Sequence, residues 1–186
     1  MIDYTHHPNA ERILQDGWEL FQHKGYRGVS IDTICTRCGI TKPTLYYYFH
    51  TKENLYVEIL LHRLQGFHQV IEQTGDLEKR LTHIAQTILE SFQTEYSLLV
   101  RDLEHIHDPL NSDRIRTAFA NELFIPITRL MQTAIATRQL NGDPRFLAQM
   151  YMGMVESYIA RAAEFGLDNA TLAQQLAAFF LKGAQP

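Results

Sequence analysis

Three consecutive tyrosines, Tyr46, Tyr47 and Tyr48, follow Lys42, Pro43 and Thr44 in this chain. Hydroxyls of tyrosine and threonine bond base edges or phosphates, and apolar groups can lie against a thymine methyl. A helix turns about 100° per residue, so three neighbouring rings span roughly 200° of its surface and cannot share one core. On a helical wheel Leu45, Tyr48 and Phe49, with Thr41, take the inward face. Pro43 and Tyr47 then fall opposite, flanked by Thr44 and Tyr46. Lys42 stands at one shoulder. Lys52 opens the next helical pattern, where a cation and open backbone N–H groups suit a phosphate. This surface is chemically suited to double-stranded DNA.

Three other clusters carry ligand-type residues. Cys35 and Cys38, the two cysteines of the chain, are spaced as C-x-x-C. A redox or zinc role needs a strand-to-helix turn or a second ligand pair, and the sequence offers neither. We assign them to packing. His68 and Glu72 lie four apart on one helical face, and Glu104-His105-Ile106-His107-Asp108 is dense in ligand types. Two histidines two apart point to different sides of a helix, and spacing fixes no third ligand, so both stretches read as solvated surface. No nucleophile motif or Gly-rich phosphate loop occurs, so neither catalysis nor a metal or cofactor is expected.

The elements that must position the tyrosines are short helices. Asn9 caps a helix from Ala10 to about Lys24, where Gly25 ends it, and Gly17 inside it points to close helix packing. Ser30 caps a second helix, Ile31 to Cys38, stopped by Gly39. Thr41 caps the third, with Pro43 in its first turn. Thr51 caps a long fourth helix from Lys52 to about Ile71. Beyond Gly75, Leu77, Leu81, Ile84, Ile88, Leu89 and Phe92 recur at three and four. Asn111 or Ser112 starts the next helix after Pro109, and Pro126 places a kink or boundary near Phe124–Ile125. Asp143-Pro144 opens a helix to about Phe165, and Asp168 or Asn169 opens the last, ending near Gly183. No strand-period alternation is present. The fold class is all-α, with a three-helix helix-turn-helix head over residues 1–56 and a helical body over 57–186.

With 45% hydrophobic and 20% charged residues, the chain can bury a core and is not expected to be disordered. No apolar run reaches the roughly 18–20 residues that span a bilayer, and the start MIDYTHHPNAER has no signal-peptide pattern, so a cytoplasmic protein without membrane contact is expected. The net charge is −4, but its distribution matters more. Residues 23–56 set Lys24, Arg27, Arg37, Lys42 and Lys52 against Asp32 and Glu53, a net +3. That patch is modest, and one copy should hold phosphate weakly.

The block GYRGVSIDTICTRCGITKPTLYYYFHTKENL resembles the DNA-binding region of the tetracycline-repressor (TetR) family of bacterial regulators. Its finish, TLYYYFHTKENL, is the distinctive part, and the likeness covers roughly residues 10–58. The resemblance implies that the third helix enters the major groove. By position, Pro43, Thr44 and Tyr46 match base-side contacts, while Ser30, Tyr47, Tyr48 and Lys52 match phosphate contacts, with Lys42 alongside. Two positions depart from the pattern. Asp32 stands where arginine or another polar group is common, and would repel phosphate or accept from cytosine. Tyr48 stands where histidine is common.

For residues 57–186 the resemblance is architectural: it implies a body that binds a small-molecule effector and pairs two subunits. Met154, Tyr158, Leu172, Leu176, Phe179 and Phe180 are candidates for a homodimer interface built from the last two helices. Phe92, Tyr96, Leu99, Phe119, Leu123, Met131 and Tyr151 are candidates for an effector pocket, because aromatics and methionine line adaptable apolar cavities. The reading is a dimeric, ligand-responsive regulator, a repressor released from its DNA operator by an apolar or aromatic effector. The alternative is a helical ligand-binding or scaffolding protein with a degenerate head, supported by the weak charge and Asp32.

Overall fold

The computed structural model describes residues 8–92 and 101–184. Every regular element among them is helical, as the sequence requires. The described residues of 1–64 and 97–116 form one compact unit, and those of 65–96 and 117–186 form a second.

In the first unit α1 (Pro8–Gly28) begins at Pro8, so that Asn9 lies inside its first turn and does not cap it. In contrast, α2 (Ile31–Cys38), α3 (Lys42–Phe49) and α4 (Lys52–Leu64) start at the expected caps. Ser30 accepts from Thr33 N–H at 3.1 Å, Thr41 from Thr44 N–H at 3.4 Å, and Thr51 from Asn54 N–H at 3.0 Å. Each hydroxyl satisfies a donor that a helix start leaves open. Gly25 breaks α1 with φ 67°, a left-handed conformation that glycine adopts without a Cβ clash. Just past it, Tyr26 N–H donates to the buried Asp102 carboxylate at 2.7 Å. Gly17 marks close packing of α1 on α4, since a Cβ there would stand 2.6 Å from Ile59 Cδ1. Ile13, Phe21, Ile34, Leu45, Phe49, Leu55 and Tyr56 fill this core.

The unit around the head reaches well past residue 56. Glu53 accepts from His107 N–H at 3.3 Å, and from Asp108 N–H and the Asn111 amide at 3.0 Å each. Burial pushes the Glu53 carboxyl up, yet these hydrogen bonds outweigh it and hold it below its usual range. Arg114 reaches Glu58 at 2.6 Å. So the histidine-rich stretch does more than face solvent: its backbone at 107 and 108 is seated on α4. The next helix, α7 (Pro109–Phe119), begins at Pro109 rather than at Asn111 or Ser112. Asp108 accepts from Leu110 N–H at 2.9 Å, and the buried Asn111 instead donates to Glu53 and Asn54.

The second unit corrects two more expectations. The fourth helix does not run to Ile71: Gly66 takes φ 94° and a separate α5 (Phe67–Ile71) follows. The cause is distant in sequence. Glu122 accepts from Gly66 N–H at 3.0 Å and His68 N–H at 3.4 Å, and pairs with His68 Nδ1 at 2.7 Å. After α6 (Leu77–Ser91) and α7, a π-turn over Ala120–Phe124 leads into α8 (Ile125–Ala136). The irregularity expected from Pro126 is this π-turn, with the proline itself accommodated in the first turn of α8. The helix opened by Pro144 also stops early. α9 (Pro144–Glu156) ends where Ser157 Oγ donates to Met154 O and Arg161 to Ser157 O. These bonds satisfy carbonyls that a helix end leaves open. A 3-10 turn over Ala162–Phe165 and Gly166 at φ 67° precede α10 (Asn169–Ala184).

α6 and α10 pack face to face. Leu81, Ile84, Ala85 and Ile88 are buried on one, and Leu172, Ala173, Leu176, Ala177 and Phe180 on the other.

The His68–Glu122 pair makes the second unit's stability pH-dependent. The Glu122 hydrogen bond raises His68 against the opposing effect of burial, helped by the charges of Glu122 and Glu72. Burial pushes Glu122 up, but hydrogen bonds from His68 and Gly66 bring it below its usual value. Arg129 lies 3.6 Å from Glu72 on the same surface. His68 holds its proton more tightly when folded, so its contribution is complete below its ordinary 6.5 and fades as pH rises through the folded value. Glu122 contributes fully above its ordinary 4.5, and this is lost as pH falls through its lowered value. The pair therefore helps most between about pH 4.5 and 6.5. Melting temperature measured from pH 4 to 8 should lose this local gain in Glu122→Gln. An unchanged profile would remove the pair from the pH response.

Candidate nucleic-acid interface

Each tyrosine lies where the helical wheel puts it. Tyr47 is 63% exposed, Tyr46 43% and Tyr48 only 6%. Leu45 and Phe49 are buried beside Tyr48, anchoring α3 by its inner face. The Tyr48 ring meets Tyr47 edge-on at 5.3 Å, so the buried ring braces the exposed one. Lys42 and Pro43 are exposed and Thr44 half-exposed, with its Oγ1 2.9 Å from that of Thr41. Ser30 is exposed at the start of α2. Gly39 closes α2 at φ 63°, where a Cβ would be strained, and its N–H and that of Ile40 bond back to Thr36 and Cys35 carbonyls. His50 makes the corner from α3 to α4 with φ 60° and ψ −45°, while Thr51 N–H donates to Phe49 O at 2.6 Å.

Several of the head's cations are already engaged. Lys42 Nζ sits 2.8 Å from the Asp32 carboxylate, with both side chains exposed. Arg37 pairs with Glu19 at 2.6 Å. Lys52 is half-buried, its ammonium 4.2 Å from the centre of the Tyr26 ring. Burial lowers its pKa against the opposing charge of Asp102. The Asp32–Lys42 pair was not legible as a pair, because residues ten apart on different helices leave no periodic trace.

Cys35 and Cys38 are buried free thiols. Burial, then Asp16, pushes Cys38 up to about 12, and burial, then Asp32, raises Cys35. A protonated, buried thiol is a poor nucleophile and a poor metal ligand, which accords with packing. No group of three or more metal-type side chains converges among the described residues.

The body candidates separate into two kinds. Phe92, Leu123, Met131 and Tyr151 are buried and Phe119 half-buried, while Tyr96 and Leu99 lie outside the described residues. Phe92 stacks on Phe67 at 6.3 Å. The fully buried Tyr151 donates its hydroxyl to Leu81 O and meets Phe180 edge-on at 5.1 Å. Of the dimer candidates, Leu172, Leu176 and Phe180 are buried within the subunit, Met154 and Tyr158 are half-buried, and Phe179 is 73% exposed. Sequence reasoning missed Phe146, 62% exposed on α9; Met150, 53% exposed on the same helix, belongs to the apolar pattern that the sequence does show there. Their spacing of four, with Gly153 three further on, was the available signal.

A capped helix, a glycine turn and a second helix with hydroxyls and rings on its outer face define a helix-turn-helix transcriptional regulator that binds DNA. Residues 13–59 match the family model described as bacterial regulatory proteins, tetR family. Over that segment, in its head, the chain is similar to the DNA-binding region of the TetR family. It is 23% identical over 187 residues to the uncharacterized HTH-type transcriptional regulator YvkB of Bacillus subtilis (strain 168), covering 95% of this chain and 97% of that one. Its fold matches the crystal structure of the TetR family regulator PfmR from Thermus thermophilus with a TM-score of 0.75 at 20% identity, over 94% of this chain and 100% of that one. The FadR regulator of Bacillus subtilis, in complex with stearoyl-CoA, matches with a TM-score of 0.73 at 15% identity, over 94% of this chain and 99% of that one.

Proposed function

We propose that the chain is a homodimeric, ligand-responsive repressor of the cytoplasm that leaves its operator when a small apolar or aromatic effector binds the body. The observation that carries the DNA half is the outer face of α3, where Tyr46 and Tyr47 stay exposed beside Pro43 and Thr44. Two neighbouring exposed rings on an eight-residue helix, beside hydroxyl and proline side chains, form a surface suited to a partner. In this reading Pro43, Thr44 and Tyr46 face bases, while Ser30, Tyr47 and the backbone N–H groups at the start of α4 face phosphates. Tyr48 contributes by bracing Tyr47. A phosphate contact by Lys52 would require its ammonium to leave the Tyr26 ring.

Pairing of subunits is supported by Phe146, Met150 and Phe179, three large apolar side chains exposed on α9 and α10. Gly153 and Gly183 on the same two helices have open space where a Cβ would be, which suits close approach of another helix. We therefore place the partner face on these residues with Met154 and Tyr158, leaving Leu172, Leu176 and Phe180 to the subunit core. An apolar effector is supported by the buried aromatics and methionine of the second unit, and FadR, with its stearoyl-CoA, offers a fold-level parallel. The ligand must prefer the DNA-incompetent state, since equal affinity for both states shifts nothing.

Selection of duplexes from a random-sequence pool, followed by fluorescence titration of the enriched DNA, tests the reading. Enrichment of a two-fold symmetric site with half-sites about 34–36 Å apart, or a multiple of that, is expected. Failure of any duplex to enrich would instead favour a ligand-binding or scaffolding protein with a degenerate head.

A further inference from the structure

We infer that Asp32 is a specificity residue: it holds Lys42 away from phosphates, so that the head gains little from DNA of the wrong sequence. The inference rests on the DNA-binding reading above. Lys42 opens α3, one residue before Pro43 and two before Thr44, and the Asp32 carboxylate of α2 lies 2.8 Å from its ammonium. Lys42 is 53% exposed and Asp32 72%, so neither charge is engaged because it is buried. Both would stand at the edge of the DNA-facing surface. The hydrogen bond to Asp32 and its charge also raise the pKa of Lys42, consistent with a formed pair.

Non-specific DNA binding consists almost wholly of cation–phosphate contacts, each releasing counterions and adding about 0.9 to the slope of log K against log salt. A lysine already paired with a carboxylate adds little of this, and the carboxylate itself repels the backbone. Arg37 is similarly held by Glu19. At a cognate site the tethered ammonium is kept close to α3 and therefore near base edges, where lysine pairs with guanine O6 and N7. Asp32 acts through Lys42 and is a positioning residue. An exposed ion pair contributes little to folding, so its removal should leave the head intact.

The experiment is a double-mutant cycle of Asp32→Asn and Lys42→Ala. Binding is measured on a duplex enriched by the wild-type protein and on a scrambled duplex of equal length, from 50 to 200 mM salt. Asp32→Asn should steepen the scrambled-duplex slope by about 0.9 per head, making the loss of affinity across that fourfold salt range about 3–4 times greater per head. Affinity for the enriched duplex should rise less, so the specificity ratio falls. In the Lys42→Ala background Asp32→Asn should leave the slope unchanged, and Asp32→Glu should keep the wild-type ratio. Equal gains on both duplexes, or the same slope change without Lys42, would overturn the inference while leaving DNA binding intact. If no duplex enriches, the DNA reading fails first and this inference falls with it.

Discussion

Tyr46→Ala should lose about 5- to 150-fold in affinity at each half-site of an enriched duplex, the range for one good base contact of roughly 1–3 kcal/mol. The ring is 43% exposed and lies on the face of α3 away from Leu45 and Phe49. Its removal opens no cavity in the core, so the melting temperature should stay near that of the wild type. A contact to bases also predicts that the loss is larger on the enriched duplex than on a scrambled one. Tyr47→Ala, at a phosphate-facing position, should weaken both duplexes alike. Full retention of sequence-specific affinity by Tyr46→Ala, with fold confirmed by circular dichroism, would take Tyr46 out of the groove.

Phe179→Arg should give a monomer at micromolar concentration by sedimentation velocity, and with it a loss of tight operator binding. Burying a phenylalanine is worth about 1.5–3 kcal/mol, and two-fold symmetry counts the change twice. About 3–6 kcal/mol corresponds to a dimer weakened roughly 10²- to 10⁴-fold. The new guanidinium adds the cost of desolvating a charge. Phe179 is 73% exposed in the single chain, so the substitution should not disturb the α6–α10 core beneath it. Phe180→Arg, one residue along and 7% exposed, should instead unfold the second unit. A dimer that survives Phe179→Arg would move the partner face elsewhere.

The head was readable because each of its instructions is local. Ser30, Gly39, Thr41 and Thr51 act on donors or carbonyls within a few residues, and the phases of Leu45, Tyr48 and Phe49 follow from one helical period. The misread boundaries all depend on distant partners or on helix-end bonds that have no period. Gly66 breaks the helix because Glu122, 56 residues on, collects its N–H. Asn111 is no cap because the helix has already begun at Pro109, while the Asn111 amide N–H groups hold Glu53 and Asn54 from more than fifty residues upstream. α9 ends at Glu156 through hydrogen bonds of Ser157 and Arg161. Surface candidates suffered from a related ambiguity. Phe179 and Phe180 are neighbours of one chemistry, and only packing tells that one faces the core and the other does not.

The corner at His50 has a mechanical consequence. Between Phe49 and Lys52 the chain has two residues, and one of them is closed into a three-residue hydrogen-bonded ring at a left-handed φ that a side chain makes costly. Such a joint has few torsions to give, so it behaves as a bracket rather than a hinge. The 13 residues of α4 form an arm about 20 Å long. Tilting that arm by about 5° around its far end carries α3 roughly 1.7 Å sideways, well beyond the ~0.5 Å within which a binding constellation keeps its geometry. The helix proposed to read DNA thus sits at the tip of a stiff lever, where small angles become large displacements.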